Sequence, residues 1–177
     1  MKKMLENLSL NKAVIEDLDS IWNILQQAIQ KRREEGSDQW QDGYPNPDVI
    51  KDDIYNGFAY VVKQNNSDII AYVAISDKEE IAYNDLVGEW ITDNQYIAIH
   101  RLAVSQEIKI KGLGTWIMLE AEKVALSKNI NSIRVDTNFD NVGMLRVFEK
   151  LDYHYCGEVL YRGGMRKAFE KILLSNP

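Results

Sequence analysis

The chain has 177 residues, of which 45% are apolar and 27% charged, with a formal net charge of −6; this suits one globular domain and excludes a disordered chain. The acidic balance argues against a general nucleic-acid binder, because neutralising phosphates needs clustered Lys and Arg. One cysteine, Cys156, and two histidines, His100 and His154, leave no internal disulfide and no thiolate- or His-rich metal centre.

The opening Met1-Lys2-Lys3-Met4-Leu5 has the charge of an export signal, but Glu6, Asn7, Ser9 and Asn11 interrupt the apolar run that must follow. No stretch has the length needed to cross a bilayer. The expected location is therefore cytoplasmic.

In chain order, Leu8–Val14 predicts a first strand. A helix then starts near Glu16-Asp17, with Leu18, Ile21, Trp22, Leu25, Ala28 and Ile29 at helical spacing and Gly36 at its end. Ser37–Pro47 is a turn-rich loop carrying Trp40 and Tyr44. Asp48–Gly57 predicts a second helix. Phe58–Lys63 and Ile69–Ile75 predict a hairpin around Gln64–Asp68. Asp77–Gln95, rich in acids and without clear period, reads as an irregular connection.

Tyr96–Val104 predicts a strand and Lys111–Lys128 a helix. Ile133–Asp136 is a short strand, Asn141–Leu151 a helix, and Tyr153–Tyr161 and Lys167–Leu173 two final strands around Gly163-Gly164. The chain shows no repeat and no linker, so residues 1–177 are expected to form a single domain. Its fold class is mixed α/β (α+β), a strand–helix–strand–helix unit within a mostly antiparallel sheet.

The segment from Tyr96 to Ala125 carries the clearest chemistry. A strand runs into a basic turn, and Gly112 and Gly114 open an amphipathic helix. Unsatisfied N–H groups and the dipole at a helix N-terminus favour anions, and glycine lets a ligand approach the backbone. Lys109 and Lys111 add charge and Thr115 a hydroxyl, which together make a diphosphate cradle. An ordinary turn with solvated lysines is the competing reading. The GxxxxGK[ST] loop is absent, and a dinucleotide fingerprint would need a glycine where Ile117 stands.

The run IHRLAVSQEIKIKGLG before a helix resembles the central motif of the GNAT superfamily of N-acetyltransferases, a strand followed by [Q/R]-x-x-G-x-[G/A]. Asn141–Tyr153, NVGMLRVFEKLDY, resembles that family's second block, N-x-x-[A/M]-x-x-x-[Y/F]-E-K-x-G-[F/Y]. Lys109 replaces Gln or Arg in the first block and Asp152 replaces Gly in the second, while Phe148 stands where many members carry a tyrosine thought to protonate the departing thiolate. Phenylalanine has no proton to give.

The resemblance implies a sheet of about seven strands flanked by about four helices. It also implies acetyl transfer from acetyl-CoA directly to a primary amine of a small molecule or peptide. Acetyl-CoA would meet the backbone of Leu102, Ala103 and Val104, with its pyrophosphate on Lys109, Ile110, Lys111, Gly112, Leu113, Gly114 and Thr115. Asn138 and Asn141 would be polar partners of the cofactor arm. No metal and no nucleic-acid or membrane partner is expected, and the terminal strands could pair two subunits into a homodimer.

For the general base, His100 on the central strand has the reference pKa of ~6.5 that suits proton transfer near neutrality, against the alternative of a core histidine. Glu89, in the preceding connection, is the second candidate. Trp40, Tyr44 and Trp90 are candidate acceptor-pocket residues, each equally able to be packing. Two other readings compete with the enzyme: a CoA-binding sensor of the same fold, kept open by Phe148, and a phosphate binder using the Gly112–Gly114 turn alone.

Overall fold

The computed structural model describes residues 5, 7–65 and 67–174. Most of the charged start weighed as an export signal, and Asn66 of the expected hairpin turn, lie outside the described residues. Among the described residues, four α-helices and eight strands make a mixed α/β fold whose strands are mostly antiparallel. Two compact units divide it: residues up to Ile75 with Arg101–Ile117, and Ser76–His100 with the residues from Met118 onward. None of the helices among the described residues is long and apolar enough to cross a membrane.

In the first unit, β1 (Leu8–Lys12), β2 (Ala59–Gln64) and β3 (Asp68–Ser76) pair antiparallel in that order. Helix α1 (Leu18–Glu34) follows a 3₁₀ turn, and α2 (Pro47–Tyr55) precedes β2. Side chains two apart on a strand share a face. Accordingly Ala59 and Val61 of β2, with Tyr72 and Ala74 of β3, form one core with Ile21, Ile24 and Leu25 of α1 and Ile50 of α2. Helix α1 stops where predicted. Gly36 takes φ +75, its N–H meets the Arg33 carbonyl and the Ser37 N–H meets that of Arg32, the paired bonds of a glycine C-cap. At α2, the Asn46 side chain accepts the amides of Asp48 and Val49 at 3.1 Å, with Pro47 in the first helical position.

Strand β5 (Ile97–Val104) runs through the boundary between the units, and α3 (Leu113–Ser127) follows it. In the second unit β6 (Ser132–Thr137) runs parallel to β5, in register from Ile97↔Ile133 to Ile99↔Val135. After α4 (Val142–Lys150), β7 (His154–Tyr161) and β8 (Gly164–Ile172) form a hairpin whose β8 pairs antiparallel with β6. The hairpin turn is Arg162-Gly163, both at positive φ. That twist matches a two-residue hairpin, so β8 starts at Gly164 rather than at the expected Lys167.

The expected seven strands become eight because the connection read as irregular contains β4 (Val87–Gly88), paired with β7 at Glu158 and Gly157. Two residues carry no readable alternation. They pair because two glycines oppose each other: a Cβ on Gly88 would lie 2.1 Å from the Cys156 carbonyl oxygen, and one on Gly157 2.2 Å from that of Val87. The same connection holds a 3₁₀ turn, Ile81–Asp85. It is tied down by fully buried Glu170 of β8, which accepts the amides of Ile91 and Thr92, the Thr92 hydroxyl and the Ser132 hydroxyl.

Candidate active site

The candidate anion cradle lies in the first unit. The amides of Leu113 and Trp116 are used, by the carbonyls of Ile110 and Gly112. Among the described residues, those of Lys109, Ile110, Lys111, Gly112, Gly114 and Thr115 meet no backbone acceptor, which leaves a ring of donors at the α3 N-terminus. Gly112 takes φ +85, and nothing lies within 4 Å of where its Cβ would stand, so the turn is open to a ligand. Ile110 and Leu113 are buried and anchor the turn from within. A cavity of about 340 Å³ beside it is lined by Val104, Lys109, Lys111 and also Lys31. Lys31 was missed in the sequence because helical spacing marks it only as a last-turn cation of α1. Upstream, Ser105 N–H bonds to the Ile70 carbonyl, and Gln27 of α1 accepts the Gln106 amide.

Among the described residues, β5 pairs with β6 from Ile97 to Ile99. Arg101 takes φ +55, a conformation a non-glycine residue adopts only when its surroundings over-determine it. Arg101 is fixed by a two-pronged ion pair with Asp53 (2.6 and 2.8 Å) and by a hydrogen bond to the Tyr44 hydroxyl. Asp53 also accepts from the Tyr72 hydroxyl. Burial works against the Arg101 charge, but Tyr44, Asp53 and Tyr72 outweigh it and hold the cation firmly.

In the second unit His100 meets two carboxylates. Its Nε2 lies 3.3 Å from Glu80 Oε2 and its Nδ1 3.9 Å from Asp136 Oδ1. The side chain is 10% exposed, and Nε2 is buried without an aligned hydrogen bond. The ring stacks on Tyr161, with centroids 6.0 Å apart and planes 15° apart, and lies 6.1 Å from the Tyr83 ring. Asp136 is held by the Tyr83 hydroxyl at 2.7 Å and by Arg166 at 3.3 Å. Burial and then Asp136 push the Tyr83 hydroxyl well above its ordinary range, so it stays a donor. Neither carboxylate could be assigned from sequence, because Glu80 lies in the irregular connection and Asp136 at the end of a short strand.

Glu89 is exposed, and its backbone N–H donates to the Cys156 carbonyl. With Trp90, Glu79, Asp93, Tyr83 and Tyr96 it lines a cavity of about 670 Å³. Trp90 donates to the Tyr83 carbonyl, and the Arg134 guanidinium sits between the rings of Trp90 (4.4 Å) and Tyr96 (4.2 Å). This is the larger cavity, yet His100 does not line it; Tyr83 is the residue common to both. The chemistry follows the imidazole, so we centre the site on His100.

The remaining candidates have clear structural contacts. Trp40 packs against the core of the first unit and Tyr44 is buried on Arg101. Asn141 caps α4 by accepting the Met144 amide, and its own N–H bonds to the Asn138 carbonyl. Phe148 is buried, with Tyr153 and Phe169 packed at 5.5 and 5.1 Å.

The model of the acetyltransferase (GNAT) family matches residues 19–153, and the chain belongs to that family. A GNAT-family acetyltransferase from Streptococcus agalactiae 2603 is 33% identical, with 96% of this chain and 98% of that one covered and a TM-score of 0.86. YesJ of Bacillus subtilis (strain 168), an uncharacterized N-acetyltransferase, is 27% identical over 150 residues, 82% of this chain and 81% of its own. In fold alone, the chain is also similar to YncA of Salmonella typhimurium, solved with its cofactor acetyl-CoA. That protein is 12% identical, with 97% and 96% of the two chains covered and a TM-score of 0.66.

Proposed function

We propose that the chain, acting as one domain, is an N-acetyltransferase that moves an acetyl group from acetyl-CoA directly to a primary amine of a small molecule or peptide. The observation that carries this reading is His100, nine-tenths buried between two carboxylates with its Nε2 lacking an aligned hydrogen bond. Acetyl-CoA supplies an activated thioester. The open amides from Lys109 to Thr115, with Lys31, Lys109 and Lys111 around them, suit its pyrophosphate. The backbone of Leu102, Ala103 and Val104 suits the amides of its arm, and Asn138 and Asn141 serve as further polar partners. Acetyl-CoA bound to YncA, which shares the fold, supports the same cosubstrate here.

An alkylammonium with a pKa near ~10.4 must lose a proton before it can attack. His100 takes that proton, and Glu89, exposed on the wall of the larger cavity, is the weaker candidate. Trp90 belongs to the acceptor side, while Trp40 and Tyr44 hold the loop between α1 and α2. Phe148 supplies no proton, and thiolate protonation is assigned to no side chain.

The test is thiol release from acetyl-CoA across a panel of primary amines, alongside thermal shift with CoA, acetyl-CoA and ATP. Stabilisation by the CoA species and turnover with at least one amine are expected. Tight CoA binding without turnover would leave only the sensor reading. Stabilisation by ATP alone would overturn acetyl-CoA as cosubstrate.

A further inference from the structure

We propose that Glu80 is the proton-accepting partner of His100, and that Asp136 is the positioning residue that makes this partnership one-directional. The inference rests on the acetyltransferase reading and deepens it. A neutral imidazole carries one N–H and one lone pair, yet His100 faces a carboxylate at each nitrogen, Glu80 at 3.3 Å and Asp136 at 3.9 Å. One carboxylate must therefore face a lone pair, and the cluster has room for one more proton than the imidazole alone holds.

The two carboxylates are not equivalent. The Asp136 side chain is 2% exposed and that of Glu80 24%. Asp136 spends Oδ1 on the Tyr83 hydroxyl and Oδ2 on Arg166, so its negative charge is pinned and sealed. Glu80 anchors Oε1 on the Ala82 amide at 3.5 Å, as the cap of the 3₁₀ turn, and turns Oε2 toward His100. Its backbone N–H is fixed in turn by the Tyr96 hydroxyl at 2.9 Å.

A proton taken up by the pair is thus held between Nε2 and Oε2, and half-buried Glu80 is the member of the pair that reaches solvent. The pinned charge of Asp136, with the rings of Tyr83 and Tyr161 against the imidazole, keeps the ring in place. The balance is simple. The ammonium gives one proton to the His100–Glu80 pair and thence to water. Attack forms the C–N bond and breaks the C–S bond, and the second amine proton ends on the departing sulfur or in solvent.

The test compares two acceptors at pH 7.5, a primary alkylamine that is an ammonium there and an aromatic amine that is already neutral. For Glu80→Gln we expect kcat/KM to fall about 10²-fold with the alkylamine and within about threefold with the neutral amine. The KM for acetyl-CoA and the melting temperature should be unchanged. Asp136→Asn should show the same split, and Glu80→Ala should regain alkylamine activity with added formate. Equal losses with both amines would overturn the proposal, because a merely structural residue cannot tell them apart. A failure of formate to restore Glu80→Ala would do the same. A parent enzyme inactive with both acceptors would sink the acetyltransferase reading itself, whereas an active parent without the split would sink only this relay.

Discussion

His100 and Arg101 are consecutive on β5, and their surroundings could hardly differ more. Arg101 is paired in two prongs with Asp53 and bonded to Tyr44. Its charge is fully compensated, and it holds a left-handed backbone conformation in the middle of a strand. His100, equally enclosed, touches two acids yet leaves Nε2 without an aligned partner. Satisfied buried charge makes a fixed scaffold, whereas a buried polar atom without an aligned partner marks a candidate for chemistry. On the proposed function, the first arrangement belongs to stability and the second to catalysis.

The comparison breaks most visibly under substitution. His100→Gln should lower kcat by about 10²–10⁴-fold with little change in a denaturant melt; a large loss of stability with intact activity would reverse the assignment. Asp53→Ala leaves the Arg101 cation buried and unpaired, and should cost about 3–5 kcal/mol in urea unfolding. A cost near zero would mean that Arg101 reaches solvent and is no scaffold.

Gly88→Ala tests whether the connection carrying Glu80 must be anchored. Its Cβ would collide with the Cys156 carbonyl at φ +148, and strain with overpacking should cost about 1–3 kcal/mol. Activity should fall with it, because the Glu80 segment loses its grip on β7. The smallest effect belongs to the cradle. Lys31→Ala and Lys109→Ala should each raise the KM for acetyl-CoA roughly two- to fivefold, less so at high salt, as expected for exposed charges. An unchanged KM at low salt would remove these lysines from the phosphate site.

What could be read from the sequence was local. Gly36 ends α1, Asn46-Pro47 opens α2, and the glycines after a basic turn open α3, because caps and turns are written within a few neighbouring residues. The cradle from Lys109 to Thr115 and the block from Asn141 to Tyr153 were legible for the same reason, as contiguous runs. Lys31 was not, because only folding brings the end of α1 to that turn.

His100 stood out as a histidine on a strand, but the acids beside it did not: Glu80 lies at its Nε2 and Asp136 at its Nδ1. The acids of Asp77–Gln95 look alike until a 3₁₀ turn, a two-residue strand and Glu170 fix which of them points inward. Contiguous runs thus carried the family, most of the element order and the candidate anion turn. The eighth strand, the conformation of Arg101 and the acids facing His100 rest on groups distant in the chain, which no local pattern records.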